Sequence, residues 1–118
     1  MKIKNVCLLN SSSIPESAVI PFTPTSGSAY EGYGGCYYYK KGSKVHIHLG
    51  LEGIANEQIN PIFTMPEGFR PRTSVFNTGI GNNYLTISGI NVMETGLIRV
   101  AVPSGGYVGA DMEYDVFS

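Results

Sequence analysis

The stretch that most constrains the fold is Lys44–Leu51, KVHIHLGL. Val45, Ile47, Leu49 and Leu51 are apolar, and Lys44, His46, His48 and Gly50 fall between them. A period of two puts the apolar set on one face of a β-strand, whereas a helix would scatter it around its circumference. A connection bearing Gly and Asn follows, then a short apolar run, Ile62-Phe63-Thr64-Met65. Pro66-Glu67-Gly68-Phe69-Arg70-Pro71 must then be a turn. Pro71 biases Arg70 towards extended geometry, and Gly68 is free to take φ above zero. These constraints make the class all-β.

Gly, Pro, Ser and Asn punctuate the rest of the chain about every 8–12 residues, the rhythm of a sandwich or barrel. Strands are predicted at Val6–Leu9, Ala18–Phe22, Gly34–Lys40, Lys44–Leu51, Asn60–Met65, Thr73–Phe76, Tyr84–Met93, Leu97–Val102 and Val108–Phe117. Pro21 places the second at an edge, because proline cannot donate to a ladder. Gly89 is a candidate bulge. Thr23–Tyr30, Thr78–Asn83 and Pro103–Gly106 read as loops, and Ile54–Ile59 as a turn. About eight antiparallel strands in 118 residues suit a two-sheet jelly-roll sandwich. Residues 1–16 read as an N-terminal strand and linker, and residues 17–118 as one sandwich domain. The expected inward set is Val45, Ile47, Leu49, Leu51, Ile62, Met65, Val75, Leu85, Ile87, Ile98, Val100, Val102, Met112, Tyr114 and Val116.

Composition then removes several function classes. The chain is 42% hydrophobic and 14% charged, which predicts a packed core and a lightly charged surface. A net charge of −1 without a basic cluster argues against nucleic acid as a partner. No apolar run approaches spanning length, so no membrane insertion is expected. No secretory signal is evident, which predicts synthesis in a cytoplasm with Cys7 and Cys36 as reduced thiols.

The polar constellations have modest chemistry. His46 and His48 share one strand face and are candidate metal ligands, but a pair without a third ligand does not define a site, and no metal or other cofactor is expected. Asp111, Glu113 and Asp115 alternate in the same way and read as a solvated strand face that discourages edge pairing, with Arg70, Arg72 and Arg99 as candidate partners. No pair of carboxylates is placed for glycoside hydrolysis, and no serine elbow with a histidine occurs. Gly79-Ile80-Gly81 is followed by no helix that could present its N-terminus to phosphate. The chain is therefore expected not to be an enzyme.

Tyr38–Phe117 resembles the C-terminal head domains of tailed-bacteriophage tail-fibre and baseplate receptor-binding proteins. The residues that carry the resemblance are the hairpin Tyr39–His48, the turn Ile62–Pro71, the run Ile87–Val92 and the closing strand Asp111–Phe117. Ile62-Phe63-Thr64-Met65-Pro66-Glu67-Gly68-Phe69-Arg70-Pro71 is similar to a family turn that usually has leucine and tyrosine where this chain has Met65 and Phe69. The resemblance implies a compact β-sandwich, a homotrimer, binding of bacterial cell-surface saccharide and a place in the virion tail. A structural trimerisation module without its own ligand and a C1q- or TNF-like binding domain are the alternatives. Eight tyrosines and no tryptophan give the best lead to a site. Tyrosine offers an apolar face to sugar C–H groups and a hydroxyl for hydrogen bonding. Tyr30, Tyr33, Tyr84 and Tyr107 fall in or beside glycine-rich loops, and with Asn82 and Asn83 they form the candidate saccharide contacts.

Overall fold

The computed structural model describes residues 18–55, 59–81, 86–101 and 106–116. Nine strands run through them in chain order: β1 (Ile20–Pro21), β2 (Ser28–Ala29), β3 (Tyr37–Lys41), β4 (Lys44–Ile54), β5 (Ile59–Thr64), β6 (Val75–Gly81), β7 (Thr86–Val92), β8 (Leu97–Ala101) and β9 (Gly106–Asp115). One 3-10 turn, Glu31–Tyr33, is the only helical element among the described residues. The protein is all-β, and each of its strand pairings is antiparallel.

Hydrogen bonds link the strands in the order β1-β3-β4-β9-β6-β7-β8-β5, with β2 pairing to β4 off this path. The path curls until its two ends meet. Phe22, just after β1, stacks on Phe63 of β5 with ring centroids 4.3 Å apart. Thr25 fastens the same seam, its backbone N–H donating to Ile62 O at 2.7 Å and its hydroxyl to Pro61 O at 2.7 Å. The curl is driven by burial, since an open sheet of this width would leave one apolar face in water.

The alternation on β4 does what its period requires. Val45, Ile47, Leu49 and Leu51 are all buried, opposite Tyr114, Met112, Ala110 and Val108 of β9. Ile62 of β5, Ile90 and Val92 of β7, and Ile98 and Val100 of β8 complete the core with Met65 and Val116. Each large apolar side chain removed from water contributes roughly 1.5–3 kcal/mol before entropy is subtracted. Val75 is only partly buried, and the side chains of Leu85, Ile87 and Val102 lie outside the described residues. Tyr38, Ile54 and Cys36 join the core as well. Burial raises the Cys36 thiol pKa, and its S–H donates to the Gly50 carbonyl at 3.4 Å.

Three sequence expectations need correction. Thr78–Gly81 is strand rather than loop, because β6 is paired on both sides there: Ile80 and Gly81 oppose Ile87 and Thr86 of β7, and Gly109 and Val108 of β9. Two neighbours supply the backbone partners that override the poor strand propensity of glycine. Gly89 is not a bulge, since it sits in regular register between Thr78 and Ala101. The irregularities fall instead between Leu51 and Ile54, where Gly53 has φ of 73°, and between Pro61 and Phe63. β2 occupies part of the expected loop Thr23–Tyr30, pairing Ser28 and Ala29 with Glu52 and Leu51. Residues 1–16, with the expected strand Val6–Leu9, lie outside the described residues.

Candidate functional site

The residues of β4 that alternate with its core set point to the outer face and meet β9 rung by rung: Lys44 with Asp115, His46 with Glu113, His48 with Asp111, and Gly50 with Gly109. Each of the first three rungs pairs a basic side chain with a carboxylate. Lys44 Nζ is 3.2 Å from Asp115 Oδ1, His46 Nδ1 is 3.4 Å from Glu113 Oε2, and His48 Nδ1 is 2.7 Å from Asp111 Oδ1. β3 adds a ring to two of them. Tyr39 stacks on His46 at 4.7 Å and Tyr37 on His48 at 4.8 Å. Cross-strand pairs of this kind contribute roughly 0.2–1 kcal/mol each.

The fourth rung has no side chains, and the chain before β3 uses that space. Tyr30 N–H donates to Gly50 O at 2.8 Å, and Gly35 N–H donates back to Tyr30 O at 3.0 Å. A Cβ on Gly50 would lie 2.9 Å from both the Tyr33 and Gly35 carbonyl oxygens, and one on Gly109 would lie 3.1 Å from the Tyr33 ring. His48 fixes the turn from the side, with Nε2 2.5 Å from Tyr33 O. Both ring nitrogens of His48 therefore face acceptors, a carbonyl and a carboxylate.

The turn places Tyr30 and Tyr33 beside Tyr107 at the start of β9. Ring centroids are 4.9 Å apart for Tyr30–Tyr33, 4.9 Å for Tyr30–Tyr107 and 6.2 Å for Tyr33–Tyr107, in edge-on and tilted arrangements. Aromatic pairs prefer these geometries. Three of the six expected contact residues are thus brought into one cluster. The other three, Asn82, Asn83 and Tyr84, lie outside the described residues. From the cluster a groove follows the outer face. One depression of about 430 Å³ is lined by Tyr33, Gly109, Thr78 and Ile80, and the next, of about 340 Å³, by Tyr37, Tyr39, Asn77 and Glu113. His48 and Asp111 line both.

His46 and His48 each turn to a carboxylate, and among the described residues no three His, Cys, Asp or Glu side chains converge as metal ligands. The acids Asp111, Glu113 and Asp115 are partnered by the histidines and Lys44. Two of the expected partners are engaged elsewhere: Arg99 Nε donates to Asn91 and Arg70 Nε to Met65 O, each at 2.8 Å. The groove residues Tyr37, Tyr39 and Asn77 are additions to the sequence reading. One signal for the ladder was present: His46 and His48 alternate with the same period as Asp111, Glu113 and Asp115.

The Pro66–Pro71 turn is bolted to the core rather than open to ligand. Phe69 packs edge-on against Tyr38 at 5.2 Å, and the Tyr114 hydroxyl donates to Phe69 O at 2.5 Å. Lys40 Nζ donates to Gly68 O at 2.8 Å and lies over the Phe69 ring. Gly68 has φ of 89°, the left-handed conformation this turn needs. No protein-family model matches the chain, and none of the curated proteins matches it.

Proposed function

We propose that this protein is a non-enzymatic receptor-binding head of a bacteriophage or prophage tail, a jelly-roll sandwich that acts as a homotrimer and grips saccharide on the host surface. The observation that carries the reading is the convergence of Tyr107, at the start of β9, with Tyr30 and Tyr33 of the turn before β3, beside a groove that Tyr33 lines. Ring faces for C–H groups and carboxylates for hydroxyls are what a neutral sugar requires, and both line this groove.

Binding at one site would be weak, and copies side by side would add to it by multivalency. A glycan array of bacterial surface oligosaccharides tests the reading, with Tyr107→Ala as its companion. Binding by the wild type and loss in the variant are expected. A protein that assembles yet binds no glycan at millimolar saccharide is instead a structural capping module, the reading that an apolar outer face would favour.

A further inference from the structure

We propose that the open edge of β9 at Glu113 and Asp115 takes an added strand, and that the occupant is this chain's own segment Lys2–Asn5. The inference stands whether or not the groove takes saccharide.

A fork leaves the edge open. β9 pairs with β4 from Val108 to Asp115, but with β6 only where Gly109 and Val108 meet Ile80 and Gly81. Continued in that register, Thr78 would meet Asp111, and Phe76 would meet Glu113. The Asn77 side chain instead stands where the next rung would be. Its Oδ1 accepts from Thr78 N–H at 2.8 Å, and its Nδ2 donates to Asp111 O at 3.3 Å. Beyond it, no strand pairs with this side of β9 among the described residues.

The ladder fixes where the backbone groups point. Val116 N–H, just past β9, donates to Ser43 O, so even-numbered positions face β4. Asp111 O turns the other way, to Asn77. Glu113 and Asp115 follow Asp111 at the same period, so their N–H and C=O groups point out of the edge. Such a row of groups is a template for a further strand.

The chemistry of the edge selects the occupant. Glu113 and Asp115 project on its outer side and share Lys44, whose Nζ is 4.0 and 3.2 Å away. These acids turn away a second β9 edge and favour a strand with basic residues at alternate positions. On the inner side Met112 and Val116 stay 7% and 8% exposed, whereas Val45 and Leu51 of β4 are fully buried, so an apolar side chain has surface to cover. Lys2-Ile3-Lys4 supplies both, with two lysines on one face and an isoleucine on the other. Reach agrees. Ile20, Tyr38, Ile47 and Met112 form one row across β1, β3, β4 and β9. A strand beyond β9 is therefore four spacings, about 19 Å, from β1. The chain from Lys4 to Ala18 spans about 45 Å when extended. The added strand would border the groove that Asp111 and Glu113 line.

Residue-resolved amide hydrogen exchange on the full chain is the test. The Glu113 and Asp115 amides are expected to be protected in the wild type, equally at micromolar and millimolar protein. Lys2→Glu with Lys4→Glu is expected to speed their exchange by about tenfold or more, as lost cross-strand pairs should. Met112 and Tyr114, whose amides face β4, are expected to keep their rates. Wild-type Glu113 and Asp115 amides that exchange like those of an unstructured chain overturn the docking. Protection that survives both substitutions overturns the choice of segment. Protection that grows with protein concentration assigns the edge to a second copy and overturns the proposal as well. If the charge-reversed variant fails to fold, Lys2→Gln with Lys4→Gln decides by the same readout.

Discussion

Gly50 and Gly109 oppose each other across β4 and β9, and the Tyr30–Gly35 turn lies in the trough they leave. Any side chain at Gly50 meets backbone carbonyls at 2.9 Å, so the turn itself must move. Gly50→Ala is expected to cost roughly 1–3 kcal/mol by overpacking and to displace the tyrosine cluster. Gly42→Ala is the control. Gly42 has φ of 62° but nothing within 4 Å, so it is expected to lose only about 1–2 kcal/mol of backbone strain and to keep the cluster. Urea unfolding and tyrosine near-UV circular dichroism measure both effects.

His48 links the Tyr33 carbonyl to the Asp111 carboxylate. His48→Ala should release the turn. Faster amide exchange at Gly34 and Gly35 is expected, together with loss of glycan binding. His46→Ala removes a similar stacked ring and a similar carboxylate contact but touches no turn. It is expected to leave exchange in the turn unchanged and to cost no more than about 1 kcal/mol, the usual range for an exposed pair. Equal exchange rates in the two variants would contradict the pinning role.

Burial raises the Tyr114 hydroxyl pKa well above the ordinary tyrosine range, while its O–H donates to Phe69 O. Such a group is protonated in both folded and unfolded chains through neutral pH, so it gives no slope there. Above about pH 10 the unfolded chain loses the proton and the folded chain keeps it. Its contribution to stability should therefore fall as pH rises past that value, by about 1.4 kcal/mol per pH unit until the folded group also titrates. Tyr114→Phe should flatten that alkaline limb and cost about 1 kcal/mol at neutral pH for the lost hydrogen bond. Unfolding free energies from pH 7 to 11 check the sign.

The sequence made some of this legible and concealed the rest for physical reasons. Period-two alternation on Lys44–Leu51 reports which side chains share a face, and the same holds for Asp111–Tyr114. The loop tyrosines could be picked out because rings beside glycines fall where a sheet ends. Pairing is different. That Gly50 lies opposite Gly109, or that a turn fills the space between them, depends on register between distant strands, which no local pattern encodes. Gly79-Ile80-Gly81 has the composition of a loop, and only neighbours on both sides make it a strand. Phe76 follows the inward Val75 and so points outward by alternation, but which strands flank it there depended on the register of Val75 with Val92.

Chemical-shift mapping tests the central claim most directly. Titration of the ¹⁵N-labelled protein with millimolar oligosaccharides from bacterial surface polysaccharide should perturb the amides of Tyr30, Tyr33 and Tyr107 together with those of His48 and Asp111. Saturable shifts confined to that set, abolished in Tyr107→Ala, are the predicted result. Unchanged spectra across the panel, or shifts gathered on β7 and β8 instead, would contradict the account.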